Sequence, residues 1–579
     1  MTAPPSGSSP LQPAAASGKP PIRGTVLAQG SSLILLLALL AAGLVLPLLF
    51  MFRQAFLSPD GSYAGLRYFR AYLESPALLE SLRHTVSISV MTTVIAVPLA
   101  FLLAYALARS AIRGKALFKA IALLPLFAPT MMHGIGLTYL FGNQGFVTTG
   151  LFGLLPFELR IPLYGPVGII ISEVVYTFPQ AFLILSAALS VSDYRLYEAA
   201  ETMGAGRARQ LLTVTLPSVK YALAGAVTVC FSLSFTDFGA PKVVGGSYNV
   251  LATDIFKQVV GQQNMALGAV VSLVLCVPAV LAFIVDRVVS RKQQAYVTSR
   301  STAYRIRPGR LRDAAAYIYA CLAALAIAAL LAAVVLASLI QVWPYNLTLT
   351  LSHFNFADAA AGGMAPFWNS VRMSLLTAVI GTAAAFMAAY LIERISLWRG
   401  LRQAAYFLSV LPLALPGMVI GLAYIFFFNH PGNPLHALYG TMAILVLSGV
   451  MHFFSVPFMT ASASLKMTDK EFETASLSMN AGWLRTFLRI TVPLSLPAIL
   501  EMAVYFFVQA MVTVSAVIFL YGPQLKLASI AVVSMDDAGD TDMAAAMSVL
   551  ILGMNVAVRL GYEALSCRLR RRTVAWRGH

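Results

Sequence analysis

The chain has 579 residues, 59% of them hydrophobic and only 11% charged, with a formal net charge of +17. A soluble domain carries about 25% charged residues, so this composition excludes a water-soluble globule and belongs in a bilayer. The positive charge would also suit nucleic acid, but it collects on one side of the membrane, and no nucleic-acid partner is expected.

Residues 1–30 read as a disordered cytoplasmic tail, because Pro, Ser and Ala dominate and no hydrophobic period runs through the first 24. The apolar run 31–52 is too long for a signal-peptide core and lacks a convincing cleavage site, so it reads as an uncleaved first span. About 20 apolar residues cross the hydrocarbon. By that measure further spans lie at 84–108, 117–141, 165–190, 221–238 and 266–286, then 315–343, 371–392, 403–428, 439–463, 495–520 and 544–564. Between the first two, residues 53–83 mix Arg53, Arg67, Arg70 and Arg83 with Tyr63, Tyr68, Phe69 and Tyr72, which suits the membrane interface. With residue 1 inside, the cytoplasmic segments and span ends collect 31 of the 40 Lys and Arg, and the outer ones 9. The positive-inside rule therefore places both termini in the cytoplasm.

The chain divides into a first six-helix domain at 31–290, a basic cytoplasmic linker at 291–314, a second six-helix domain at 315–565 and a basic tail at 566–579. The basic stretch around the linker carries Arg291, Lys292, Arg300, Arg305, Arg307 and Arg310. It reads as a topological stop, with anionic lipid headgroups as the alternative ligand. Cys230, Cys276, Cys321 and Cys567 lie in or beside apolar runs without paired spacing, as small hydrophobes do.

An engine is missing. No GxxxxGK[ST] phosphate loop occurs; Gly18-Lys19 and Gly114-Lys115 lack both its upstream glycine and its following hydroxyl residue. No nucleophile–base pair or metal-ligand cluster stands out, so neither an enzyme nor a cofactor nor a metal is expected. Ionisable residues inside spans are costly and mark either solute pathways or interhelical bonds. Asp286 and Glu563 sit near span ends, whereas Glu173 and Glu501 lie deeper and keep both readings open. His133 is a packed histidine or, alternatively, a ligand or proton relay. Asp237, with Gly239 and Gly245-Gly246, suggests a bent re-entrant segment near a pathway. Asp536, Asp537, Asp540 and Asp542 lack the spacing of a calcium loop and read as a solvated loop or a partner contact.

The chain repeats itself. TVSISVMTTVIAVPLAFLLAYALAR (85–109) parallels SVRMSLLTAVIGTAAAFMAAYLIER (370–394), and Leu124-Pro125-Leu126 with Pro129 recurs as Leu411-Pro412-Leu413 with Pro416. Both halves begin on the cytoplasmic side, so they are parallel repeats about an axis along the membrane normal, enclosing a central pathway.

Between the fourth and fifth spans lies YRLYEAAETMGAGRARQLLTVTLPSVK (194–220), a helix-forming start broken at Gly204 and Gly206 and re-entering the membrane at Pro217. ETASLSMNAGWLRTFLRITVP (473–493) repeats it 276 residues later. These stretches resemble the EAA loop of binding-protein-dependent ABC transporter permeases, on Glu198-Ala199-Ala200, Gly204 and Leu216-Pro217 at the family's spacing. The second copy is degraded: the family Glu falls on Thr474 and the family Gly on Asn480, with Glu473 one place early and Ala475, Gly482 and Pro493 kept. The resemblance implies a MetI-like type I ABC permease fold, an all-α polytopic membrane protein with twelve transmembrane helices in two six-helix parallel repeats. It also implies a bacterial inner membrane location, two ATP-binding ABC ATPase subunits docked on the loops, and a periplasmic solute-binding protein. Residues 235–264 and 511–540 resemble fused permeases for iron(III), thiamine and aminoethylphosphonate, and together look closest to the 2-aminoethylphosphonate permeases. Fe(III), thiamine, polyamine or sulfate are the alternative solutes, and an ion-coupled secondary transporter using Glu173 or Glu501 is the reading from a different class.

Overall fold

The computed structural model describes residues 23–58, 60–153, 160–294, 304–357, 362–394, 398–467, 471, 475–476, 479 and 482–575. Eight of its helices are long and apolar enough to cross a bilayer, and four bent helix pairs raise the number to twelve if each is one span. The unbroken spans are α1 (Gln29–Gln54), α2 (Pro76–Arg109), α5 (Pro166–Ser190), α7 (Arg207–Thr236), α9 (Met265–Val285), α10 (Arg310–Leu339), α11 (Ala365–Arg394) and α19 (Thr541–Arg568). The bent pairs are α3 (Lys115–Phe127) with α4 (Thr130–Phe141) at 107°, and α12 (Arg399–Ala414) with α13 (Gly417–Phe428) at 112°. Two more are α14 (Met442–Phe453) with α15 (Ser455–Met467) at 55°, and α16 (Trp483–Leu494) with α17 (Leu496–Val512) at 79°.

Prolines make these bends. Proline has no N–H to donate and clashes with the preceding turn. At Leu124–Phe127 and Leu411–Ala414 the chain tightens into a 3₁₀ turn, and Ala128 and Leu415, each preceding a proline, are extended. The two Leu-Pro-Leu repeats therefore place the same sharp bend in both halves. The halves differ at their fifth span. Pro493 and Pro497 flank the buried Ser495, and the helix breaks there. Both halves take a π turn, over Leu211–Thr215 ahead of Pro217 and over Phe487–Thr491 ahead of Pro493, but Tyr221 stands in the first half where the second has Pro497, and α7 runs on unbroken. Pro217 thus lies within a continuous helix that starts at Arg207, rather than opening a new one.

Each half lends its first helix to the other. Leu33, Leu40 and Leu44 of α1 belong to the core built by α11 to α17, whereas Ile327, Leu330 and Val334 of α10 belong to the core of the first half. Tyr424 on α13 donates its hydroxyl to the Gly43 carbonyl at 2.6 Å. In the mirrored place, a Cβ on Gly136 of α4 would come within 2.9 Å of the Leu330 carbonyl oxygen. One small departure from an all-helical chain follows α10. The expected span 315–343 ends as helix at Leu339, and strand β1 (Ile340–Val342) pairs antiparallel with β2 (Asn346–Leu349).

Candidate functional site: coupling loops and a polar cavity between the halves

The first loop begins with α6 (Tyr194–Thr202), capped by Asp193, whose carboxylate accepts the Arg195 N–H at 3.1 Å. Tyr194 and Tyr197 are buried and anchor one face; Glu198 and Ala199 are exposed on the other. The helix closes at Gly204, whose φ of +73° is left-handed and favours glycine. A Cβ there meets nothing within 4 Å, so a side chain would strain the backbone without touching the rest of the chain. Gly206 then caps the next helix in extended conformation (φ −64°, ψ 165°).

The second loop reuses this geometry. Gly482 adopts φ −63°, ψ 146°, and the π turn that follows, Phe487–Thr491, lies 276 residues after Leu211–Thr215. Ala475 and Pro493 are also in place, while Glu473, Thr474 and Asn480 lie outside the described residues. Two residues that sequence reasoning had used only to align the copies stand out here. Met203 is 84% exposed and its counterpart Met479 82% exposed. Unpartnered methionines at matching places form two flexible apolar knobs suited to a partner's groove.

Inside the membrane, the bend after α3 and the bend after α12 face each other across two adjoining cavities of ≈ 100 and ≈ 200 Å³. Pseudo-symmetry organises the lining. Tyr176 on α5 and His452 on α14 are 276 residues apart and both line the cavities. The same interval relates Gly239 to Ser515. A Cβ on Gly239 would collide with the Thr130 hydroxyl, and one on Gly417 with the Ser515 hydroxyl. Each half therefore closes its bend with one glycine against one hydroxyl, the roles exchanged.

The charge is not symmetric. Asp237, at the end of α7, faces the cavity and accepts the Ala240 N–H at 2.9 Å. Glu173, wholly buried on α5, interacts with it. The equivalent positions in the second half are Gly449 and Thr513. No Lys or Arg lines either cavity among the described residues. The remaining candidates lie elsewhere. Glu501 pairs with Arg559 of α19 at 3.1 Å, an interhelical bond away from the cavities. His133 is fully buried, its ring centroid 6.4 Å from that of Tyr176. The expected acidic loop is mostly helical, since Asp536 and Asp537 end the helix Ala528–Ala538 and Asp542 begins α19. Asp537 pairs with Lys242 at 2.8 Å and Asp542 accepts the Tyr139 hydroxyl, so this stretch bridges the two halves. Among the described residues no group of His, Cys, Asp and Glu is arranged to hold a metal ion.

The family model described as the binding-protein-dependent transport system inner membrane component matches residues 96–295 and again 381–571. The chain belongs to this family. It is a multi-pass inner-membrane permease of an ABC importer, and it carries both copies of the domain in one polypeptide. A Haemophilus influenzae permease named for ferric transport, FbpB 1, is 30% identical over 85% of this chain and 77% of its own. The ferric transport system permease protein FbpB of Actinobacillus pleuropneumoniae is 29% identical over 80% of this chain and 68% of its own. A Salmonella typhimurium permease named for 2-aminoethylphosphonate transport, PhnU, is 25% identical, over only 42% of this permease and 85% of its own length. The expectation that aminoethylphosphonate permeases are the nearer relatives is therefore corrected: that likeness covers less than half of the chain, whereas the ferric relatives span both halves.

Proposed function

We propose that this permease is the membrane conduit of a ferric-iron importer. In this reading iron is the cargo, a periplasmic solute-binding protein delivers it, and two separate ATPase subunits hydrolyse ATP and push on the loops at 194–217 and 473–493. Glu198, Ala199, Ala200, Gly204, Gly206 and Pro217 form the first docking site, with Glu473, Thr474, Ala475, Asn480, Gly482 and Pro493 the second. Both chain ends and the linker lie on the cytoplasmic side, where most of the Lys and Arg collect.

One observation carries the choice of cargo: Asp237, backed by Glu173, faces a cavity between the halves that has no Lys or Arg among its described lining residues. A cation crossing there is attracted in a medium of low dielectric, and an anion is repelled. The relatives named for ferric transport add support across both halves. A small phosphonate such as 2-aminoethylphosphonate is the second reading, favoured by the partial PhnU likeness. Its ammonium would suit Asp237, but its phosphonate group would find no Lys or Arg among the described lining residues.

Proteoliposomes containing the permease and its ATPase, supplied with the binding protein, should take up radiolabelled ferric iron. Asp237→Asn should lower that uptake at least about tenfold, since one charge at close range in a partly buried site is worth more than 1.4 kcal/mol. Uptake of 2-aminoethylphosphonate without iron uptake would overturn the cargo assignment.

A further inference from the structure

We propose that residues 304–313, at the end of the linker, are a strap that positions the first coupling loop, with Tyr304 and Arg307 as positioning residues. The proposal rests on the reading of that loop as the ATPase-docking element.

The strap has two attachments to α6. Tyr304 packs edge-on against both buried tyrosines of the helix, 5.3 Å from Tyr194 and 5.0 Å from Tyr197 between ring centroids. The Arg109 guanidinium lies 3.9 Å from the Tyr304 ring centroid and 5.1 Å from that of Tyr197. Arg109 is only 2% exposed and also donates to the Leu189 carbonyl at 3.2 Å, so this cation–ring stack is a buried anchor. The second attachment is a two-pronged ion pair: one Arg307 nitrogen reaches the two Glu201 oxygens at 2.7 and 2.9 Å. This pair is exposed and contributes little energy alone. Its use is angular, because it fixes the far end of a helix that Tyr304 already holds by its near end.

The strap is tied down at its base. Asp313 accepts the N–H of Gly309 at 2.9 Å and of Ala111 at 3.2 Å, joining the start of α10 to the turn between α2 and α3. A helix of nine residues such as α6 is marginal unless tertiary contacts hold it. Here Tyr304 of the linker shares the buried face of α6 with Arg109 and Thr215, which bond the Tyr197 hydroxyl at 3.3 and 3.0 Å, and that linker continues into α10, which packs against the first half. Displacement of α6 by an ATPase subunit is thereby passed to the first helix of the second half. The second loop is built differently. Arg394 makes the matching bond, to the Leu465 carbonyl at 2.6 Å, but the residues ahead of the first span continue as helix from Arg23.

The test uses the assembled permease–ATPase complex and its rate of ATP hydrolysis. Arg307→Glu should change that rate about two- to fivefold, the size of an exposed pair, while the ATPase still co-purifies. Combining it with Glu201→Arg should return the rate to the parent value, which loss of folding cannot do. Tyr304→Ala should have the larger effect, about tenfold, because it removes the stack over a buried arginine. Unchanged rates in both Arg307→Glu and Tyr304→Ala, or no rescue by the charge swap, overturn the strap. Met203→Glu checks the underlying reading: it should release the ATPase. If the ATPase stays bound, the docking role of the loop fails and the strap fails with it.

Discussion

Gly204 and Gly206 stand two residues apart in the first loop and carry different burdens. Gly204 has φ +73°, a conformation that costs an L side chain about 1–2 kcal/mol, while Gly206 sits at −64°, open to any residue. Gly204→Val should therefore distort the loop and reduce ATPase co-purification, and Gly206→Val should leave the turn as it is. Equal losses in the two variants would mean that the ATPase surface, not the dihedral, demands the small residue. Away from the loops, α18 (Ala528–Ala538) carries Asp536, whose carboxyl is pushed up to about 6 by burial, with Asp537 adding and Lys242 opposing. An unfolded Asp titrates near 3.9. The folded value is the higher one, so the stability this group contributes is fully present below about pH 4 and is lost as pH rises through about 6. Asp536→Asn should raise the thermal midpoint of the detergent-purified protein at about pH 7.5, and the gap should close towards about pH 4.5. A gap of the same size at both ends would assign the effect to packing instead.

Among the elements, the spans were legible because lipid demands about 20 apolar residues in a row, and that demand leaves a direct mark on the chain. The loops were legible for a similar reason: glycines that break a helix and a proline that interrupts its bonding leave spacing that survives repetition. Bends were only half legible. Pro125, Pro129, Pro412 and Pro416 announced an irregularity, but a count of apolar residues carries no angle, and the turns of 107° and 112° came from the 3₁₀ tightening between those prolines. The end of α10 was not legible. Ile340 and Val342 are as apolar as a helix end requires, and as β-branched residues they serve equally well in a strand. Partnerships between distant elements left no local trace. Glu501 gave no sign that Arg559 would lie beside it, nor Glu201 that Arg307 would, because no periodicity encodes which helix face meets which.

The exchange of first helices makes the molecule one object rather than two joined permeases, and the forces that maintain it differ from those in water. Lipid tails are as apolar as leucine, so burying Leu33, Leu40 and Leu44 against the second half gains close packing rather than removal from water. Specific contacts must then decide where α1 sits. The Tyr424 hydroxyl reaches the Gly43 carbonyl at 2.6 Å, and Gly43 lets Met451 approach so closely that a Cβ would come within 2.5 Å of its terminal carbon. At the other end of α1, Gly30 lies against Trp398 at the start of α12. Removing residues 1–54 should therefore loosen the second half, although the deleted helix belongs to the first by sequence. In inside-out vesicles trypsin should cut faster at Arg399 and Arg402, while Arg113 and Lys115 at the matching turn of the first half keep their parental rate. Supplying residues 1–58 as a separate fragment should restore protection, because the contacts need proximity and not covalent continuity. If cleavage rises equally in both halves, or the fragment fails to protect although it inserts, α1 does not hold the second half in place.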